Sequence, residues 1–218
     1  MMDGKMKFAA WQKGLLIGTA AFYGIAFTGL TLFDRFKYKL APYIEDPFAV
    51  SCMDAESSWT GFEPYVGIFL LGMTIWFCVW FSRRRSLKSC LPIVIGHLVF
   101  GMSFLVCAVG EVEKYSQASA VDFYVERQGE DCYVQPVYFK SYAQYFYTDR
   151  QPQNNCEDLD FLMNGPIDKP CYFVVKDIPK KVEKLKTEVP NAEFLYRRSG
   201  FQFFVRYPDE PAKNDTTE

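Results

Sequence analysis

"CLPIVIGHLVFGMSFLVCAVG", residues 90 to 110, contains no Asp, Glu, Lys or Arg. A helix of this length spans the roughly 30 Å of hydrocarbon in a bilayer. Two earlier stretches repeat the pattern: "GLLIGTAAFYGIAFTGLTLF" (14 to 33) and "PYVGIFLLGMTIWFCVWFS" (64 to 82). Buried helices of soluble proteins seldom run so far without a charge, so hydropathy predicts three membrane spans. The first is too long for the apolar core of a signal peptide, and no clear cleavage site follows it.

Charge then orients the spans. The loop "SRRRSLKS" (82 to 89) carries Arg83, Arg84, Arg85 and Lys88, and the N-terminal tail carries Lys5, Lys7 and Lys13. The positive-inside rule puts both on the cytoplasmic side. The loop 34 to 63 and everything beyond about residue 110 then face the periplasm or a lumen. Lys37 and Lys39 dilute the contrast, but the triple Arg outweighs them. A net charge of -2 gives no reason to expect nucleic acid as a partner. The overall apolar content of 50% describes neither half of the chain, because residues 111 to 218 hold most of the charge.

The fold class expected is therefore membrane α-helical, with three transmembrane helices, followed by a small soluble α/β domain. Residues 1–110 form the membrane region, 111–207 the soluble domain, and 208–218 a polar tail whose composition reads as disordered. That tail contains the glycosylation sequon Asn214-Asp215-Thr216. After Gly110, apolar residues at Val112, Tyr115, Ala118, Val121 and Val125 predict an amphipathic helix leading away from the membrane. A strand is expected at 132–138, helices at 140–147 and near 157–163, and a second strand at "CYFVVK" (171 to 176). "DIPKKVEKLKTEVP" predicts a helix with Pro179 in its first turn and Pro190 beyond its end. "EFLYRR" and "FQFFVRYP", joined by Ser-Gly, read as a tight hairpin.

Within the first span, Gly14, Gly18, Ala21, Gly24 and Thr28 approach the spacing that brings helices together, and Gly14 with Gly18 forms a small-xxx-small pair. His97, the single histidine, lies inside the third span. Ionisable groups at that depth are functional candidates, but a neutral imidazole bonded to a neighbouring helix is the simpler expectation. The long loop 34 to 63 is rich in aromatics and acids, and an interfacial aromatic belt is its simplest reading.

Seven cysteines divide into two groups. Cys78, Cys90 and Cys107 lie in or at the ends of spans, as small packing residues. Cys52, Cys132, Cys156 and Cys171 would face a compartment where disulfides are allowed. If the strands opened by Cys132 and Cys171 are parallel neighbours, those two could pair, a question that geometry decides.

Chemistry is sparse. The sequence has no phosphate-cradling glycine loop, no metal-ligand spacing and no His-based triad, so neither a metal nor a cofactor is expected. Carboxylates occur together at Glu45 and Asp46, at Asp54 and Glu56, and at Glu157, Asp158 and Asp160. Such groups are ordinarily solvated or cap helices, and none is assigned as a catalytic base. In "KSYAQYFYTDRQPQNN" (140 to 155), Tyr142, Tyr145 and Phe146 are spaced i, i+3, i+4 and are expected to pack on the sheet. That leaves Lys140, Tyr147 and Arg150 facing outward as candidate substrate-binding residues, a hydroxyl and a guanidinium facing sugar or phosphate.

Three segments in order carry a family resemblance: "EKYSQASAVDFY", then "CYVQPVYFKSYAQYFYTDRQP", then "DKPCYFVVKDIPKKVEKLKTEVPNAEFLYRRSGFQFFVRYP". Together they resemble the C-terminal part of bacterial integral-membrane glycosyltransferases of the dolichyl-phosphate-mannose protein mannosyltransferase type, the lipid A aminoarabinose transferases included. Upstream, "YIEDPFAV" and "SSWTGFEP" look like the long periplasmic loop before the last helices of such proteins. The resemblance covers nearly the whole chain. It implies a C-type glycosyltransferase fold in the bacterial inner membrane, N-terminus cytoplasmic and C-terminal domain periplasmic. It also implies a polyprenyl-phosphate-linked sugar and the lipid bilayer as partners. The family carries its catalytic acid in a first periplasmic loop near the start of a much longer chain. Glu45 and Asp46, in a loop that resembles a late one, cannot inherit that role, so no catalytic residue carries over. The expectation is a C-terminal portion, inactive by itself, as a truncated gene product, a split subunit or a fragment, with an N-terminal multi-span transferase segment as a candidate partner. A non-enzymatic, membrane-anchored binding domain fits the missing catalytic residues equally well.

Overall fold

The computed structural model describes residues 8–84 and 86–208. Lys5, Lys7, Arg85 and the tail from 209 with its sequon lie outside the described residues. The chain divides into two compact units. One gathers Glu56–Glu113 with the chain up to Leu40, the other Ala41–Ala55 with the chain from Lys114 onward.

The first unit is helical. Helix α1 spans Ala10–Leu40, and α2, Pro47–Cys52, belongs to the second unit. Helix α3 spans Glu63–Arg84 and α4 Leu91–Cys107, with the short α5, Val109–Lys114, following at once. Three stretches, Ala10–Tyr43, Glu63–Arg84 and Leu87–Lys114, are long and apolar enough to cross a membrane. No water reaches backbone groups in hydrocarbon, which leaves the helix as the form that satisfies them within one segment.

Glycine sets how closely α1 and α3 approach. A Cβ on Gly67 would stand 2.7 Å from the Cα of Gly24, so the two backbones touch there. Gly14 and Gly18 meet nothing within 4 Å of where a Cβ would lie. The close approach expected of the first span is thus made by its fourth small residue, Gly24, and not by the Gly14/Gly18 pair. Gly96 of α4 is filled in the same way, 2.8 Å from Met73 Cβ. His97 bonds within its own helix where a bond to a neighbouring one was expected: its Nδ1 is 2.8 Å from the carbonyl of Ile93, one turn back.

The second unit is built on a sheet of order β1-β2-β4-β3. Strands β1 (Tyr133–Val137) and β2 (Cys171–Lys176) are parallel, and β2 then pairs antiparallel with β4 (Phe201–Arg206). Strand β3, Glu193–Arg198, closes the edge antiparallel to β4. Ser199 (φ 39°) and Gly200 (φ 86°) make the tip of the β3–β4 hairpin, two positive-φ residues as the right-handed twist of the flanking strands requires of a two-residue turn. Helices α6 (Ala118–Glu126), α7 (Ala143–Tyr147), α8 (Leu159–Asn164) and α9 (Pro179–Glu188) complete the unit.

Alternation along the strands gives the sheet two covered faces. On one, Leu162 and Met163 of α8 and Val182 and Leu185 of α9 pack with Phe173 and Phe204. On the other, Phe123 of α6 stacks on Phe203 at a centroid distance of 4.2 Å, with Val134 and Val174 beside them. The amphipathic helix expected after residue 110 is broken at residues 115–117, and Val112 and Val125 are exposed. Its buried face runs through Ser119, Ala120, Phe123 and Tyr124 instead. Burying two aromatic rings removes more apolar area from water than burying the valines would.

Register decides the question of a Cys132–Cys171 disulfide against it. Strands β1 and β2 are indeed parallel neighbours, but Tyr133 stands opposite Cys171. Cys132 is one residue out of step and packs on the α6 face, whereas Cys171 packs on the α8 and α9 face. All seven cysteines are free. Burial raises the Cys132 thiol to about 11 and pushes Cys171 up further.

Arg206, at the end of β4, is buried and donates to the carbonyls of Leu162 at 2.9 Å and Gly165 at 2.7 Å. It thereby satisfies acceptors that α8 leaves open at its C-terminus. Arg206→Ala strands those acceptors and is expected to destabilise the second unit by about 2–3 kcal/mol, read as a lowered urea midpoint of the tyrosine fluorescence and far-UV circular dichroism signals. Gly67→Val is expected to force α1 and α3 apart at a cost of about 1–3 kcal/mol, measured as a lower thermal midpoint in lipid nanodiscs. Gly18→Val, at a position with open space, is the control and is expected to leave that midpoint in place.

Candidate functional site

Asp46 begins the site. Its side chain accepts from the backbone N–H of Phe48 at 2.9 Å, and Pro47 follows at the first helical position, so α2 starts with a capped end. The helix is one and a half turns long and owes its place to what it packs on. Phe48 meets Phe201 edge to face at 5.5 Å, and the Lys176 ammonium stands 4.2 Å over the Phe48 ring. Beneath them, Gly200 leaves room where a side chain would strike the sulfur of Cys52. Cys52 is buried, which raises its thiol to about 11; Lys176 opposes that rise, and Asp46, Asp177 and Asp54 add to it.

Asp177 follows β2 directly and joins the three segments. Its Oδ2 accepts from Ser51 Oγ at 2.5 Å and from Arg197 Nε at 2.6 Å, and its Oδ1 accepts from Gln202 Nε2 at 2.7 Å. Arg197 also reaches Ser51 Oγ at 3.2 Å and Asp54 Oδ2 at 3.4 Å through one amino group. Above this network opens a cleft of about 470 Å³. Glu45, Asp54 and Arg197 line its polar side, and Ile44, Val50 and Pro179 its aliphatic side.

The residues singled out from sequence do not converge. Lys140 is exposed, with its ammonium 5.4 Å over the Tyr142 ring. Tyr147 packs inward with Ala143 against the α6 face of the sheet. Arg150 is also turned inward, donating to the Val134 carbonyl and, at 3.4 Å, to Asn155 Oδ1, with its guanidinium 4.6 Å over the Tyr145 ring. Burial lowers its pKa. The orientation expected of this stretch is therefore reversed for Tyr142, Phe146, Tyr147 and Arg150, while Lys140 faces outward as expected. Tyr142 is 65% exposed and Phe146 78%, while Gln144 and Thr148 are buried. The reason is where the helix begins. It starts at Ala143, so Tyr142 precedes it, and the inward side of its single turn is Ala143, Gln144, Tyr147 and Thr148.

The acids divide as well. Asp158 caps α8 by accepting from the N–H of Phe161 at 3.1 Å, and Asp160 accepts from Asn164 at 2.9 Å. Of the carboxylates that stand together in the sequence, Asp54 bonds across to the sheet, through Arg197. Neither Asp177 nor Arg197 stands out in the sequence, since each is a charge at the end of a strand. The local signal for this region is Asp46-Pro47, which marks a helix start.

No family model and no curated protein sequence matches the chain. Among solved structures, the chain is similar to ArnT from Cupriavidus metallidurans in the apo state, at 13% sequence identity and a TM-score of 0.49. The likeness covers 91% of this chain and 38% of that one.

Buried thiols give this unit a direct test. With a pKa of about 11, Cys52 and Cys132 are about one part in a thousand thiolate at pH 8, and the thiolate is the reactive form. Iodoacetamide at pH 8 is expected to leave both unmodified in the native chain and to alkylate both in urea, as peptide mass mapping would show. Rapid native labelling of Cys52 would mean that α2 is not seated on the hairpin.

Proposed function

We propose that the chain is the C-terminal membrane and periplasmic portion of a lipid-linked-sugar glycosyltransferase of C-type fold. Such an enzyme moves a sugar from a polyprenyl-phosphate carrier to an acceptor on the periplasmic side of the bacterial inner membrane. The observation that carries this reading is the order of parts. Three apolar spans, the second and third joined by an Arg-rich loop, lead into a mixed α/β domain whose segments carry the family's aromatic-rich pattern. The positive-inside rule supports a domain on the side opposite that loop. An N-terminal multi-span segment supplies the catalytic acid in this reading, and residues 1–218 are inactive without it. Lys140, whose head group is solvent-facing, is proposed as the residue that supports substrate contact.

A second reading is favoured by one observation, the exposed rings of Tyr142 and Phe146 beside Lys140. Aromatic rings held open next to a cation suit a binding surface. On this reading the domain is a membrane-anchored, non-enzymatic module for a periplasmic partner or envelope glycan.

Co-expression separates the two. The chain is produced alone and with N-terminal multi-span transferase segments, and transfer is assayed from a polyprenyl-phosphate sugar. Transfer is expected only in the combined preparation, with Lys140→Ala lowering it about three- to tenfold at unchanged stability. Activity of the isolated chain would refute its dependence on a partner segment. No transfer with any such segment would favour the binding module.

A further inference from the structure

We infer that the cleft between α2 and the β3–β4 hairpin is a carbohydrate-binding site that takes an uncharged or amine-bearing sugar ring and rejects a phosphorylated one. The inference rests on the chemistry of the cleft and does not depend on the transferase reading.

The polar groups are of both kinds. Ser51 and Asp177 are spent on internal bonds, Asp177 accepting three of them. What remains open is one amino group of Arg197, which makes no hydrogen bond to the described residues, the second carboxylate oxygen of Asp54, and the carboxylate of Glu45. The side chains of Arg197 and Asp54 are each about half exposed, at 51% and 56%. A ligand that satisfies this set must donate to carboxylates and accept from a guanidinium within a few ångströms. Each sugar hydroxyl does both. Charge-assisted bonds of this kind are the stronger ones, and carboxylates are good acceptors for neighbouring hydroxyls.

The walls agree. Ile44, Val50 and Pro179 offer aliphatic surface to the C–H face of a ring, and the cleft volume of about 470 Å³ admits one sugar with room to spare. Pockets that mix apolar lining with a few placed polar groups are the usual form of small-molecule sites.

Sign excludes the other ligand. Three carboxylates, Glu45, Asp54 and Asp177, line the cleft against the single guanidinium of Arg197. A phosphate would meet net negative charge at close range, and an amine would be drawn in. The Arg197 guanidinium is also held by Asp177, so it is not free to turn wholly to an incoming anion. Asp177 works here as a positioning residue: its three donors engage both of its oxygens, and it fixes Arg197 and Ser51 in place.

The test uses the full chain in lipid nanodiscs, because maltoside detergents carry the ligand class themselves. Binding of methyl glucoside, glucosamine and glucose 6-phosphate is measured by saturation-transfer NMR. Methyl glucoside is expected to bind with a Kd of order 1–10 mM, glucosamine as tightly or more so, and glucose 6-phosphate at least about tenfold more weakly. Asp54→Asn and Glu45→Gln are each expected to weaken glucosamine about threefold or more, and methyl glucoside less. Glu45 is exposed and bonds to nothing among the described residues, so its variant keeps the test decisive if Asp54→Asn disturbs the network. Equal or tighter binding of the phosphorylated sugar overturns the inference, as does wild-type affinity in both variants or no binding of any sugar up to about 50 mM. Sugar transfer is not read in this experiment, so failure here leaves the transferase proposal standing.

Discussion

Strand β2 is the element on which the second unit depends. It is paired along both edges, parallel to β1 and antiparallel to β4, and it is covered on both faces. Cys171, Phe173, Val174 and Val175 are fully buried, so every backbone group in the strand must find its partner in a neighbouring strand. That double constraint fixes the point at which the strand ends, at Lys176. The next residue, Asp177, emerges with its carboxylate beside the hairpin and is met there by Ser51, Arg197 and Gln202. The cleft is therefore seated on the core at one side, with the α2 segment as its other wall. Sites set on rigid elements hold their geometry better than sites on loops.

The two units solve the same problem by different means. In the first, hydrocarbon offers no gain for burying apolar side chains against one another, so contact is made by backbones brought together over Gly24 and Gly67. In the second, water drives burial, and aromatic rings do most of it: Phe123, Phe173, Phe203 and Phe204 are all buried from solvent. Arg206 keeps its charge inside that unit by spending it on the carbonyls at the end of α8.

Much of this was legible in the residues. The spans announced themselves by length without charge, and β2 and β3 occupy the stretches expected of them, Cys171–Lys176 and Glu193–Arg198. Pro179 and Pro190 bracketed α9, which ends at Glu188. Legibility failed where the periodic signal was too short. Five residues of α7 make little more than one turn, and a start three residues later than expected moved Tyr142 and Phe146 from the core to the surface. It failed again for the cleft, whose side chains come from positions 44 to 54, 177 to 179 and 197 to 202. No local pattern links them. Sheet order brings them together, and sheet order is a property of long-range pairing. Cys132 and Cys171 show how fine that dependence is, since a single step of register put them on opposite faces.

Gly200 carries a consequence for how this protein can vary. Asn and Asp tolerate positive φ, so a turn position of this kind can carry a short side chain where space allows. Here the space above the turn is already taken by the Cys52 sulfur, with Phe48 close behind. The tip of the hairpin and the helix of a loop nearly 150 positions earlier in the chain are thus one packing unit. Among natural relatives they should covary: a side chain at the turn should appear only where the residue at position 52 has become smaller. Where the pair has drifted apart, α2 would no longer be seated, and the cleft would lose one of its walls with it.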